Sequence, residues 1–170
     1  MRNTHFSGVD SKLGYSVNGS QVIDENGDFV GHSNVRVASV TLTPAQIRTL
    51  RATPRELVPA PGAGKVIQFL GAQLHLAYAT AGYTEDSDNL RIKYEDDSGV
   101  HVTDTIECTG FIDQTAATMT SAVPRKDAIV ANTGAVNEPL VLHNIGSGEF
   151  DGATAAGTLT IHTLYKVHEV

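Results

Sequence analysis

Short segments in which apolar and polar residues alternate dominate the chain, and clusters of glycine, asparagine and proline separate them. Leu90–Tyr94 alternates cleanly, and Leu74, Leu76 and Tyr78 alternate with polar or small neighbours. Alternation over about four to eight residues predicts a strand with one face on a core and the other outside it. Almost no helical pattern lies between these segments, so repeated β-α-β units are not expected. The sequence therefore predicts an all-β sandwich or barrel.

One short helix is the exception to this pattern. Thr43 suits the N-cap and Pro44 suits the first helical position, so a helix is predicted through Leu50, directly after a strand over residues 35–42. In the long strand that comes later, Gly71 interrupts the alternation, which predicts a β-bulge.

Further strands are predicted in the second half of the chain. Residues 100–102 are expected to pair with Leu90–Tyr94 as a hairpin across a turn at 95–99. Residues 114–122 are rich in threonine and alanine, and they are predicted to form a loop or one helical turn. The other strand-like segments are 105–112, 140–145 and 157–167.

The chain has 170 residues, the usual size of a single domain with one core. Its first 34 residues are polar and glycine-punctuated, with hairpin signals at Asn18-Gly19 and Asn26-Gly27. Strands this short are not stable alone, so this segment is predicted to be a flexible arm or a set of small ribbons that order against the main domain or a neighbouring subunit. Two parts are therefore predicted: an N-terminal arm over 1–34 and a β-sandwich over 35–170.

Charge and cysteine content exclude several functions. The chain carries 12 basic and 19 acidic residues, a formal net charge of -7, and the basic residues are scattered, so direct nucleic-acid binding is not expected. Cys108 is the single cysteine; it excludes an internal disulfide and is expected to be a small buried apolar residue. No export signal is recognisable in the first residues, and no apolar run is long enough to span a bilayer, so no membrane contact is predicted.

No motif in the chain predicts catalysis. Residues 61–66 match a phosphate-binding loop only in part, because Pro59 and Val66 stand where a glycine and a serine or threonine are required. A turn entering a strand is predicted there instead. A Gly-x-Ser-x-Gly nucleophile motif is absent from the sequence, so the protein is not predicted to be an enzyme.

Metal ligands are not predicted either. The seven histidines lack the close spacing of a structural zinc site, and His162 and His168 are expected on one face of the last strand. Acidic residues at 85–89 and 95–97 are predicted to form solvated turns, with calcium binding as the alternative.

Four segments follow one another in an order that resembles a known family. They are Thr43–Leu50, Pro54–Val66, Asn89–Tyr94 and Leu140–Asn144, in which a leucine-containing helix precedes a proline-glycine break, a long strand and two further strands. Over about residues 43 to 167, the chain resembles the capsid decoration, or cement, proteins of tailed bacteriophages. The resemblance implies a jelly-roll-like β-sandwich with an extended N-terminal arm.

The resemblance also implies a function and partners. Decoration proteins bind as homotrimers to the outside of the icosahedral shell, contact several copies of the major capsid protein and stabilise the expanded head against the pressure of packaged DNA. The implied protein is a structural virion protein without a cofactor, made in the host cytoplasm and located on the outer surface of the capsid. The arm residues implied to contact the capsid, or otherwise to pack on their own domain, are Phe6, Tyr15, Val22, Ile23, Phe29 and Val30. The residues implied at the subunit interface, with ordinary core as their alternative role, are Leu76, Tyr78 and Tyr165.

Two other functions stay open at this point. A receptor-binding jelly-roll module of a phage tail fibre or spike would also trimerise, but such a module usually follows a long trimeric stalk, and a short arm is what precedes this sandwich. A carbohydrate-binding or hydrolytic β-sandwich is the third reading. Tryptophan is absent and aromatic residues make up 6% of the chain, which is poor for stacking against sugar rings.

Overall fold

Nine strands and one α-helix are found in the described part of the chain, which is residues 15–17, 20–23, 35–126, 132–152 and 157–170 of a computed structural model. The helix α1 is Pro44–Ile47, and Asn132–Gly134 forms one 3-10 turn. The strands are β1 Tyr15–Val17, β2 Ser20–Ile23, β3 Arg36–Leu42, β4 Arg55–Val58, β5 Lys65–Ala77, β6 Leu90–Tyr94, β7 Thr118–Ala122, β8 Leu140–Asn144 and β9 Thr158–Glu169.

The chain divides into two compact units, residues 1–34 and 35–170. In the first unit, β1 and β2 pair antiparallel on either side of Asn18-Gly19, in agreement with the hairpin signal in the sequence. In the second unit, the strands form a four-stranded sheet in the order β3-β9-β5-β7 and a three-stranded sheet in the order β4-β8-β6. The prediction of an all-β sandwich with one short helix is confirmed.

The strand pairs of the sandwich are nested in the sequence. β3 pairs with β9, β4 with β8 and β5 with β7, all antiparallel, so each pair lies inside the previous one along the chain. The innermost pair is β6 with residues 100–106, which contact it through the bridges Lys93 to His101 and Leu90 to Ile106. Successive pairs alternate between the two sheets. A long antiparallel hairpin wrapped in this way is the jelly-roll arrangement.

The turn that closes the innermost pair depends on a glycine. A Cβ atom on Gly99 would lie 1.7 Å from the carbonyl oxygen of Tyr94, so the two strands could not approach with any other residue there. The Tyr94 amide then donates to the Val100 carbonyl at 3.0 Å, and the Val102 amide to the Ile92 carbonyl at 2.8 Å. The predicted hairpin is therefore confirmed.

The core lies between the two sheets and is built from the inward residues of each strand. Leu74 and Ile161 are paired neighbours on the four-stranded sheet, Ile92 and Leu142 are paired neighbours on the three-stranded sheet, and all four are fully buried. Burial of apolar area is the main favourable term for such a sandwich, at roughly 25 cal/mol per Å². The predicted bulge in β5 is also present, since the register with β9 shifts between Phe69 and Gly71.

Helix α1 begins where the sequence predicts and ends earlier. The Gln46 amide donates to the Thr43 hydroxyl at 3.4 Å, and the Thr43 amide donates to Oε1 of Gln46 at 2.9 Å, which forms a capping box. The α-helix stops at Ile47 rather than Leu50, because the amides of Thr49 and Leu50 donate to carbonyls only three residues back, at 3.3 and 3.4 Å, which is a tighter turn than the α-helix. The Arg48 guanidinium donates to the carbonyl of Gly152, at 2.7 and 3.2 Å. No helix among the described residues is long and apolar enough to span a bilayer.

Two local predictions are wrong. Residues 118–122 were expected in a loop or helical turn, but they form β7 and pair with β5, with Leu74 opposite Thr120. The strand-like segment 105–112 contributes one bridge, at Ile106. It then turns sharply, with the amides of Phe111 and Ile112 both donating to the Cys108 carbonyl at 3.0 Å.

Candidate protein interface

The face of the four-stranded sheet that points away from the core is the candidate functional site. The pairing of the strands determines which residues this face contains. Val37 of β3 lies opposite Leu164 of β9. Further along the sheet, Thr160 of β9, His75 of β5 and Met119 of β7 lie side by side in one row. Because facing residues point to the same side of a sheet, all of these are outward. We call this surface the outer face. The name covers the rows from Thr160 to Leu164 of β9, which contain Val37, Ser39, Thr41, Gly71, Gln73, His75, Met119, Ser121, Thr160, His162 and Leu164; beyond Leu164 the same side of the sheet continues with Lys166, Gln68 and His168.

Exposed apolar side chains concentrate on this face. The described residues contain six large apolar side chains that are strongly exposed, and five of them lie on the outer face or one position outside its edge strands β3 and β7, with exposures from 37% to 63%. The sixth is Val170, at the end of β9. The five are Val35, Val37, Met119, Val123 and Leu164. Single exposed apolar residues are ordinary, but their concentration on one sheet face is typical of a protein-binding surface.

The outer face carries no Asp, Glu, Lys or Arg, although the chain has 12 basic and 19 acidic residues. Lys166, the next outward residue of β9, marks the end of the uncharged region. The three-stranded sheet differs, because its outward positions include Glu56, Arg91 and Lys93. A partner that covers the outer face as far as Leu164 would therefore desolvate no ionised side chain.

The polar side chains in the middle of the outer face contact each other. Ser39 Oγ and His162 Nδ1 are 3.0 Å apart, and the hydroxyl oxygens of Thr41 and Thr160 are 2.9 Å apart. The rings of His75 and His162 meet edge to face, with centroids 5.4 Å apart. Because these groups already have partners within the sheet, covering them leaves few hydrogen bonds unmade. His162 and His168 lie on one strand face as predicted, and His168 bonds Gln68 at 2.9 Å.

A cleft of about 600 Å³ lies beside the three-stranded sheet. Glu149 lines it, but its carboxylate accepts hydrogen bonds from the amides of Arg51 and Ala52, at 2.8 and 2.6 Å. His143 also lines the cleft with 7% of its surface exposed, and burial, followed by the charge of Lys93, lowers its pKa. The Glu149 carboxylate thus has a structural role as a cap on the turn after α1.

The other residues considered for chemistry are buried. Cys108 is fully buried, as predicted, and burial raises its pKa, so its thiol is a poor nucleophile. Asp88 was expected in a solvated turn, but it is 1% exposed; its Oδ1 accepts from the Gly148 amide at 3.1 Å and its Oδ2 has no hydrogen-bond partner in the structure. No group of three or more metal-ligating side chains occurs in the described residues.

The residues predicted at the subunit interface lie elsewhere on the sandwich. Leu76 is 3% exposed and belongs to the core, and Tyr165 packs against that core from the end of β9. Tyr78 follows β5 and donates its hydroxyl to the Thr80 carbonyl at 2.9 Å. Leu76 and Tyr165 thus contact the core, which was their alternative role, and contact of the three residues with another copy stays a prediction.

The residues predicted to contact a capsid lie in the first unit. Tyr15 belongs to β1, and Val22 and Ile23 belong to β2. Phe6, Phe29 and Val30 lie outside the described residues, and capsid contact by all six stays a prediction. Sequence reasoning did not single out Val37, Met119 or Leu164, because their common surface requires knowledge of which strands are neighbours.

Comparison with known proteins finds a likeness among solved structures. No protein-family model matches the chain, and no curated protein matches it. Among solved structures, the chain is similar to one from the capsid asymmetric unit of the cyanophage Pam1, with 15% sequence identity and a TM-score of 0.43. The similarity covers 81% of this chain and 91% of that chain.

Proposed function

We propose that this protein is a structural virion protein that binds the outer surface of a phage capsid as a trimer and stabilises the expanded head. The observation that carries the proposal is the outer face, which has no ionised side chain and has five exposed apolar side chains on it or next to its edge strands. Such a face is suited to contact with another protein. The resemblance of about residues 43 to 167 to decoration proteins supports the choice of a phage capsid as the partner assembly.

The two units have separate roles in this proposal. Residues 35–170 hold the copies together, and residues 1–34 contact the major capsid protein, where short strands such as β1 and β2 can add main-chain hydrogen bonds to a partner. A trimer presents three such segments at once. The second and third contacts then form at a high effective concentration, so weak individual contacts give tight binding.

Stabilisation of the head follows from mass action. A protein that binds the intact expanded shell, and not its separated subunits, lowers the free energy of the shell by about 2.7 kcal/mol per site when its free concentration is about 100 times the dissociation constant. Many sites on one shell multiply this effect. Each bound trimer that bridges several capsid subunits therefore opposes their separation.

The test uses the purified full-length protein and expanded heads that lack decoration. We expect saturable binding with copy numbers that are multiples of three, and a higher temperature of head disruption in light scattering. The control is a chain without residues 1–30, checked by circular dichroism for an intact β-sandwich, which should not bind. Heads that bind the truncated chain as well as the full chain would contradict the role of residues 1–34.

The alternative function is that of a receptor-binding module at the tip of a phage tail fibre or spike. If the protein is a fibre or spike tip, it will bind host cells and leave the disruption temperature of the heads unchanged. Labelled protein incubated with heads and with cells in parallel distinguishes the two functions.

A further inference from the structure

We propose that copies of this chain join side by side into a closed ring, through the exposed apolar residues at the two edges of the outer face. In this ring the β3 edge of one copy contacts the β7 edge of the next. The proposal rests on the trimer of the proposed function and is independent of capsid binding. It assigns the subunit interface to residues that differ from those the sequence indicated.

The net charge favours the outer face as the contact between copies. Each copy carries a formal charge of -7, so two copies repel each other wherever acidic surfaces approach. A contact through the outer face brings no ionised side chains together and desolvates none, because its rows contain none. A contact through the three-stranded sheet would have to desolvate Glu56, Arg91 and Lys93.

The distribution of apolar residues indicates a ring rather than a face-to-face pair. Val35 and Val37 lie at the β3 edge, with Leu164 beside Val37, and Met119 and Val123 lie at the opposite, β7 edge. The central rows between them are mostly polar, with Gln73, His75, Thr160 and His162. A two-fold pair packed face to face would bury these polar rows at its centre. In a ring, the β3 edge of one copy instead meets the β7 edge of the next, and the polar central rows face the ring axis without being buried in a contact.

The order of the strands supports the same arrangement. β3 and β7 are the two edge strands of the four-stranded sheet in the described residues. An edge strand leaves backbone amides and carbonyls without sheet partners and is a common point of contact between chains. A ring that joins β3 to β7 covers both edges of every copy, whereas an open contact would leave one edge exposed at each end.

Cysteine pairs placed at the two edges test the ring in the full-length chain. The four double variants combine V35C or V37C with M119C or V123C. Within one copy, β3 and β7 are three strand spacings apart, about 14 Å, so a disulfide inside the chain is excluded by geometry. The native Cys108 is fully buried and does not interfere. A matched control, E56C/D104C, places two cysteines at exposed positions on the other sheet and its edge segment.

The expected result is a covalent trimer for at least one double variant after mild oxidation, seen on a non-reducing gel and lost on reduction. The single variants and E56C/D104C should stay monomeric on the gel. Covalent dimers from V37C alone would indicate a two-fold contact and overturn the ring.

Light scattering on the wild-type chain separates failure of the ring from failure of the proposed function. A trimeric mass with no cross-link in any of the four variants would overturn the interface while the trimer stands. A monomeric mass would overturn both the ring and the trimer. Binding to heads, measured as described above, is read independently of either result.

Discussion

Replacement of Val37 by threonine tests the interface without disturbing the sandwich. Val37 is 63% exposed and lies opposite Leu164 on the sheet. Threonine has the same β-branched shape and a similar preference for strands. In an isolated copy its hydroxyl would stay in water, so the free energy of unfolding should change by less than about 0.5 kcal/mol.

In the ring the same hydroxyl becomes buried. A hydroxyl covered by a neighbour without a hydrogen-bond partner costs about 1–3 kcal/mol. A closed trimer contains this contact three times, so the free energy of its formation should become less favourable by about 3–9 kcal/mol. Because an equilibrium constant changes tenfold for each 1.4 kcal/mol of free energy, the trimer association constant should fall roughly 10² to 10⁶-fold. The midpoint concentration varies as the square root of that constant and should rise roughly 10 to 10³-fold.

Sedimentation velocity over a dilution series measures this midpoint, and a thermal melt at low concentration checks the fold. Glu56→Gln is the matched control, because Glu56 is an outward residue of the three-stranded sheet and lies far from the proposed contact. Its midpoint should equal that of the wild type. A Val37→Thr midpoint within about twofold of the wild type, a difference under about 1 kcal/mol over the whole trimer, would refute the assignment of the β3 edge to the interface.

Three further predictions concern the fold and its titratable groups. Thr43→Ala removes the side-chain half of the capping box and should lower the free energy of unfolding by about 1 kcal/mol in urea titration, whereas Thr43→Ser should retain most of it. Cys108 should resist iodoacetamide at mildly alkaline pH in the folded protein and react fully in denaturant, because burial raises its pKa; labelling of the folded protein would contradict that burial. Burial lowers the pKa of His143 below its usual value of 6.5, so the unfolded chain binds a proton at this residue more readily than the folded protein does. His143 should therefore lower the free energy of unfolding as pH falls below 6.5, and it should have no such effect above pH 6.5. Calorimetry across this range should show a smaller decline for His143→Gln, and equal declines in both proteins would reject the prediction.

The parts of the fold that the sequence predicts are those determined by neighbours in the chain. The alternation of Leu90–Tyr94, the cap at Thr43 and the irregularity at Gly71 each depend on a few adjacent residues, and each is present in the structure. Local patterns of this kind specify the two-residue period of a strand and the first turn of a helix. They do not specify which strands become neighbours.

Strand β7 shows why a strand can be missed. Its sequence is TMTSA, and its inward positions are filled by Thr118, Thr120 and Ala122 rather than by large apolar residues. An edge strand buries less area than a central one, so its alternation between apolar and polar residues is weak. The strand forms because β5 supplies a long partner, with His75 opposite Met119, and this partner lies more than forty positions earlier in the chain.

The outer face could not be predicted for a related reason. Val37, Met119 and Leu164 are exposed apolar residues on three different strands, and each is unremarkable where it stands in the sequence. They form one surface because the nested pairing places β9 beside β3 and β7 beside β5, with β9 and β5 joined at the centre. The sequence analysis instead named Leu76, Tyr78 and Tyr165, which lie on the apolar side of alternating segments, and that side of a strand is the one that usually faces the core. Residues that contact another copy are therefore expected on the solvent-facing side of a strand, where an apolar side chain interrupts a series of polar ones.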